Sequence, residues 1–261
     1  MALIDALLDR VAQEHGVFLP LAVESGSRAW GFPSPDSDYD CRFVFVRHPA
    51  QHLTPWPSRD VIEFPPEGDI DANGWDLGKA LRLLLKGNAV IIEWLRSPVV
   101  YRGQAWFRDS FLEYARHAAT REAIGRHYLH LGERQRRVYF GDGTNIAQKK
   151  IYAVRPAATL RWLRMRPAEA VAPMHFPTLM AEWDPPLEVM AEVQDLMGRK
   201  AMTRELGTSP LSPAVARFID SEFEFARAYF EGGRARASDE AVGQAQQFYR
   251  MVVERLEREN R

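Results

Sequence analysis

The chain has 261 residues, 46% of them hydrophobic, and a formal net charge of −1, enough for one large or two modest domains, each with a core of its own. The single cysteine, Cys41, excludes an intramolecular disulfide. No apolar run approaches the length of a signal or membrane segment, so the expected location is the cytoplasm.

The two signs of charge are unevenly spread. Residues 1–76 hold 13 Asp or Glu against 5 Lys or Arg, whereas residues 121–166 hold 3 against 11. An acidic lobe facing a basic one suits a nucleoside triphosphate or a polynucleotide. Leu3, Leu7, Leu8 and Val11 mark an opening amphipathic helix, and Val17–Val23 is an apolar, β-prone run that stops at Glu24. Gly26-Ser27 then allows a tight turn and close backbone approach to a ligand, and Ser27-Arg28-Ala29-Trp30 opens a short helix whose N–H groups suit phosphate.

After Pro33-Ser34-Pro35-Asp36 a second strand is expected to run to Val46, with Tyr39, Cys41, Phe43 and Phe45 alternating with Asp38, Asp40 and Arg42. Asp38 and Asp40 therefore share a face. Two such carboxylates repel, and Mg²⁺, which prefers carboxylate and phosphate oxygens, relieves the repulsion. A calcium EF-hand loop begins in the same way, but Cys41 stands where its glycine is required and Arg47 where its glutamate is.

Residues 47–60 read as a proline-rich loop, in which His48 and His52 lack a third zinc ligand. A third strand is expected at Val61–Phe64, a short segment at Asp69–Asp71, and a helix from about Asp76 to Lys86 that ends at Gly87-Asn88. Val90, Ile91, Trp94 and Leu95 form a further helical turn. From about residue 104 onward only helices are expected: a basic one at Arg121–Val138, one at about 150–165 that Pro156 should kink or restart, and three more at Leu187–Leu206, Pro213–Phe230 and Ser238–Arg258. Residues 167–186 read as a loop. The expected fold is α+β, with a small mixed-sheet domain at 1–103 and an all-helical domain at 104–261.

Gly26-Ser27-Arg28-Ala29-Trp30-Gly31, Ser37-Asp38-Tyr39-Asp40, Gly74-Trp75-Asp76-Leu77, Lys86-Gly87-Asn88, Glu93-Trp94-Leu95-x-Ser97-Pro98 and Lys149-Lys150-x-Tyr152-x-x-Arg155-Pro156 resemble blocks of the DNA polymerase β-like nucleotidyltransferase superfamily. Within it they resemble the predicted nucleotidyltransferases linked to RNA ligases and RNA repair. The resemblance implies a palm-like catalytic domain in which a third acid, placed at Asp71 with Asp69 or Glu63 as alternates, joins Asp38 and Asp40 in holding Mg²⁺ or Mn²⁺. It further implies NTP phosphates bound by Gly26, Ser27 and Arg28, with Lys150 reaching them from the helical part and Lys149 and Arg155 as its alternates. The implied reaction is transfer of a nucleoside monophosphate to an RNA 3′ end, with an RNA ligase as an associated enzyme. Transfer to a protein or a small molecule, or a non-catalytic nucleotide- or RNA-binding module, are the alternatives.

Overall fold

A computed structural model describes residues 1–53, 55–56, 58–140, 150–202, 211–232 and 237–259. The opening helix α1 (Ala2–His15) ends on Gly16 in the left-handed region, at φ 56°. Its buried stripe is Ile4, Leu7, Leu8 and Val11, and Leu3 is exposed. Strand β1 (Val17–Glu24) leads into the four-residue helix α2 (Ser27–Trp30), and β2 follows at Tyr39–Arg47. After a 3₁₀ turn at Pro49–His52 come β3 (Val61–Glu63) and β4 (Ile70–Asp76).

The expected short segment at Asp69–Asp71 is thus a seven-residue strand that includes Trp75. Helix α3 (Leu77–Leu85) begins only after Asp76, whose carboxylate accepts from the N–H of Gly78 at 2.8 Å and caps it. Helix α4 (Ala89–Arg96) is capped in the same way by Asn88. A fifth strand, β5 (Val100–Gly103), was not expected from the sequence; it pairs with β1 and completes the sheet order β3-β4-β2-β1-β5. The β2–β4 pair is parallel and the others are antiparallel, so the sheet is mixed.

Period-2 alternation splits the sheet into two faces. Cys41, Phe43 and Phe45 pack with Ala22, Ala72 and the stripe of α1, whereas Val44 and Val46 face α3, α4 and the helices that follow. Asp40 and Arg42 continue the Val44/Val46 row, so the acids stand at the uncovered end of the face that the helical part packs upon. The Cys41 thiol, pushed up to about 12 by burial, is an inert core group.

From Ala105 onward the described elements are helices: α5 (Ala105–Ala118), α6 (Arg121–Phe140), α7 (Lys150–Met165), α8 (Phe176–Ala181), α9 (Leu187–Met202), α10 (Pro213–Phe230) and α11 (Asp239–Glu259). Helix α8 lies inside the stretch expected as a loop. Pro156 neither ends nor restarts α7, which runs through it. A Cβ at Gly132 of α6 would meet Phe223 at 2.4 Å and Pro156 at 3.0 Å, so this glycine makes room for both. The neighbouring helices thereby hold the proline turn in place. One hydrophobic cluster extends from Leu21 of β1 to Leu256 of α11. Among the described residues no helix is long and apolar enough to cross a membrane.

Candidate active site

Glu24 ends β1 as a fully buried carboxylate. Its Oε1 accepts from the N–H of Gly26 at 2.8 Å and from the N–H of Asp40 at 3.2 Å, while Oε2 accepts from the Tyr101 hydroxyl of β5. Burial and this bond raise the Tyr101 pKa. One buried acid therefore ties the glycine turn to the strand that carries Asp40. The only sequence sign of it was a lone glutamate at the end of an apolar run, and its partner Tyr101 lies on the unforeseen strand.

Gly26 and Asp40 are in direct contact. A Cβ on Gly26 would lie 1.8 Å from Asp40 Oδ2, so no other residue fits without moving the carboxylate. Gly26→Ala is expected to lower stability by about 1–3 kcal/mol, the cost of overpacking, read as a shift of the urea unfolding midpoint.

The parallel register sets Asp40 of β2 opposite Asp71 of β4. Both carboxylates turn onto Arg42, whose Nη2 lies 3.1 Å from Asp40 Oδ1 and 2.7 Å from Asp71 Oδ2. Its Nη1 donates to the Asp71 carbonyl at 2.7 Å. Burial raises the Asp40 pKa; Arg42 opposes the rise, and the charges of Glu24, Asp71 and Asp38 add to it. Three further acids thus act on Asp40, with Arg42 as counter-charge. The two alternates for the third acid are placed differently. Exposed Asp69 lies just before β4 and its carbonyl accepts from the N–H of Tyr39, whereas Glu63 sits on edge strand β3, paired with Arg59 and opposite Asn73.

Ser27 and Arg28 hold the acidic loop against the turn. Ser27 Oγ donates to Ser37 Oγ at 2.9 Å. Arg28 donates to the carbonyls of Ser37 and Asp38 and lies over the Tyr39 ring, 4.0 Å from its centroid. Lys149 lies outside the described residues, as does the side chain of Lys150, which is the first residue of α7. That end of α7 is next to the turn, since the Tyr152 ring meets Trp30 at 5.8 Å and Phe32 at 6.1 Å, and the Asp40 charge helps to raise the Tyr152 pKa after burial and Tyr139.

Arg155 stands elsewhere than at a phosphate. It is 5% exposed, donates to Glu93 of α4 at 2.8 Å and stacks over Trp30, 4.2 Å from the ring. Tyr128 of α6 donates to the same carboxylate. Other arginines of the basic stretch are also engaged within the fold: Arg136 pairs with Asp220, and Arg161 and Arg164 share Glu222 of α10. Much of the local basic excess therefore joins helices to each other.

Among the described residues no group of three or more His, Cys, Asp or Glu side chains forms a metal-holding cluster. In this arrangement Arg42 draws the Asp40 and Asp71 carboxylates to itself. The donor set nevertheless fits a hard divalent cation, being all oxygen, negatively charged in excess and bordered by a glycine that leaves Asp40 uncovered. His48 and His52 are structural, bonded to Glu257 and to the Tyr249 hydroxyl of α11.

Comparison with known proteins gives a match over residues 2–250 to RlaP, the RNA repair pathway DNA polymerase beta family. The chain is also 36% identical, over 217 residues and 83% of each chain, to "Uncharacterized protein YcgL" of Bacillus subtilis (strain 168).

Proposed function

The chain belongs to the RNA repair pathway DNA polymerase beta family, and on that premise we propose that it moves a nucleoside monophosphate from an NTP to an acceptor hydroxyl, most directly the 3′ end of an RNA. Membership carries nucleotidyltransferase chemistry in general; the acceptor and the metal dependence are our reading. The observation behind it is the in-register pair Asp40 and Asp71, set against a glycine turn that admits no side chain.

Asp38, Asp40 and Asp71 would hold Mg²⁺ or Mn²⁺. Bound there, the ion supplies positive charge to the triphosphate and lowers the pKa of the attacking hydroxyl. The chain's own groups supply position and charge. The Glu24 bonds hold the turn rigid beside Asp40, and Ser27 and Arg28 fix the loop that presents Asp38. The start of α7 lies beside the turn through Tyr152, and Lys150 on that helix is the residue we assign to the β- and γ-phosphates. The acceptor hydroxyl releases its proton to solvent, its oxygen bonds to the α-phosphorus, the bond to the bridging oxygen breaks, and pyrophosphate leaves. The division near residues 103 and 104 belongs to the same proposal, since β5 ends at Gly103 and α5 opens at Ala105.

The test is incubation with each α-³²P-labelled NTP, Mg²⁺ and a mixture of small RNAs. Label appearing on RNA supports the proposal, and a steep fall in that labelling with added salt is expected from phosphate contacts. Label on protein or on a small molecule would move the acceptor, and no turnover of any NTP would point to a binding module.

A further inference from the structure

The acids stand near the start of β2 and β4, and a second polar site lies at the other end of the same two strands. A cavity of about 470 Å³ opens beside Arg47, the last residue of β2, and Asp76, the last of β4. That is within the roughly 300–1,000 Å³ of small-ligand pockets. The seven residue-to-residue steps from Asp40 to Arg47 separate the two sites by roughly 23 Å of strand rise.

The lining combines three kinds of chemistry. Arg47, Arg59 and Arg82 supply guanidinium groups, Trp56 supplies an indole that is 79% exposed, and Asp60 and Asp76 supply carboxylates. The frame around them is fixed. Asp76 caps α3, and Asp60 bridges Lys79 and Arg82 of the same helix. The 3₁₀ turn is held to α11 through His48–Glu257 and His52–Tyr249. Arg82 also lines a neighbouring, mainly apolar cavity of about 440 Å³ between α3 and α11, with Leu81, Leu85 and Val242.

Arg59 can turn to an anion at little cost, and Arg47, held 5.2 Å from the Phe45 ring centroid, lies beside it. Arg59 pairs with Glu63 through side chains that are both well exposed, an interaction worth little in water, and Arg47 donates to a backbone carbonyl of Arg59. The two carboxylates disfavour a bare inorganic anion. They favour a ligand that brings hydroxyl or amino donors together with its phosphate. An exposed indole adds a stacking surface for an aromatic ring.

We propose that this cavity binds a nucleoside monophosphate unit, with Arg47 and Arg59 on the phosphate, Asp60 or Asp76 on sugar or base donors, and Trp56 against the base. That the unit belongs to an RNA strand also engaged at the acids, and not to a free nucleotide, rests on the function proposed above. The site then gives the acceptor a second hold on the catalytic sheet, at a distance from the reacting end.

The test measures fluorescence anisotropy of a labelled single-stranded oligoadenylate with the full chain, without NTP or metal. Trp56→Ala and Arg59→Ala are each expected to weaken binding about tenfold, in line with loss of a stacked base or a phosphate contact, with unchanged melting temperature. The assay contains no NTP, so its result does not depend on whether transfer is ever observed. Displacement by AMP with the same dependence on Trp56 assigns the site to a single nucleotide unit, and binding by strands alone assigns it to RNA. Equal affinity of both variants and the wild type, or competition by inorganic phosphate as strong as that by AMP, would overturn the proposal.

Discussion

Asp40→Asn is expected to lower nucleotidyl transfer by about a thousandfold while slightly raising the melting temperature at neutral pH. The loss follows from the several kcal/mol of transition-state charge stabilisation that a metal-holding carboxylate supports; about 4 kcal/mol corresponds to roughly three decades of rate. The gain follows from the folded state. Burial and the charges of Glu24, Asp71 and Asp38 raise the Asp40 pKa against Arg42, so folding disfavours its ionised form. An acid whose folded pKa lies above its unfolded value makes the protein less stable as pH rises through that interval. Asparagine removes this term, and Arg42 keeps Asp71 and two backbone carbonyls as partners. Melting curves at acidic and neutral pH, taken beside transfer rates, check both parts: the advantage of the variant should shrink as pH falls below the folded pKa.

Arg155→Met is expected to cost about 3–5 kcal/mol of stability, because it leaves Glu93 buried and without its cationic partner. Tyr128 alone would then donate to a carboxylate in the interior, and Trp30 would lose the guanidinium stacked on it. The double variant Glu93→Leu/Arg155→Met should recover much of the loss, since replacing both charges by apolar groups removes the unpaired ion. Urea unfolding of the three variants, including Glu93→Leu, gives the coupling directly. Near-additive costs would show that the pair does not join α4 to α7 as described.

The parts of this molecule legible in its sequence are those where local chemistry and final surroundings agree. Asp40 reads as turned away from Cys41 and Phe43 because the start of β2 alternates, although Asp38 lies just before that strand, and Asp76 reads as a helix start because its cap bond is local. The misreadings have a different physical origin. Val100-Tyr101-Arg102-Gly103 shows no alternation of its own and is a strand only because β1 offers an open edge. The short segment at Asp69–Asp71 gives no local sign that its strand runs on to Trp75, whose ring packs against Trp94 at 4.2 Å and whose backbone continues the ladder with Val44. Pro156 breaks an isolated helix, yet here its ring lies against the gap left by Gly132. Arg155 illustrates the same limit at the site. Its place in a basic motif suggests phosphate, whereas the buried Glu93 that takes it lies 62 positions away in the sequence.

The most direct test of the catalytic reading uses RNA with either a 3′-hydroxyl or a 3′-deoxy end, α-³²P-labelled NTP and Mg²⁺, for the wild type and Asp40→Asn. Label joined by the wild type to the hydroxyl-ended RNA only, and lost in the variant, is the expected result. Equal labelling of both RNAs, or transfer undiminished in Asp40→Asn, would contradict it.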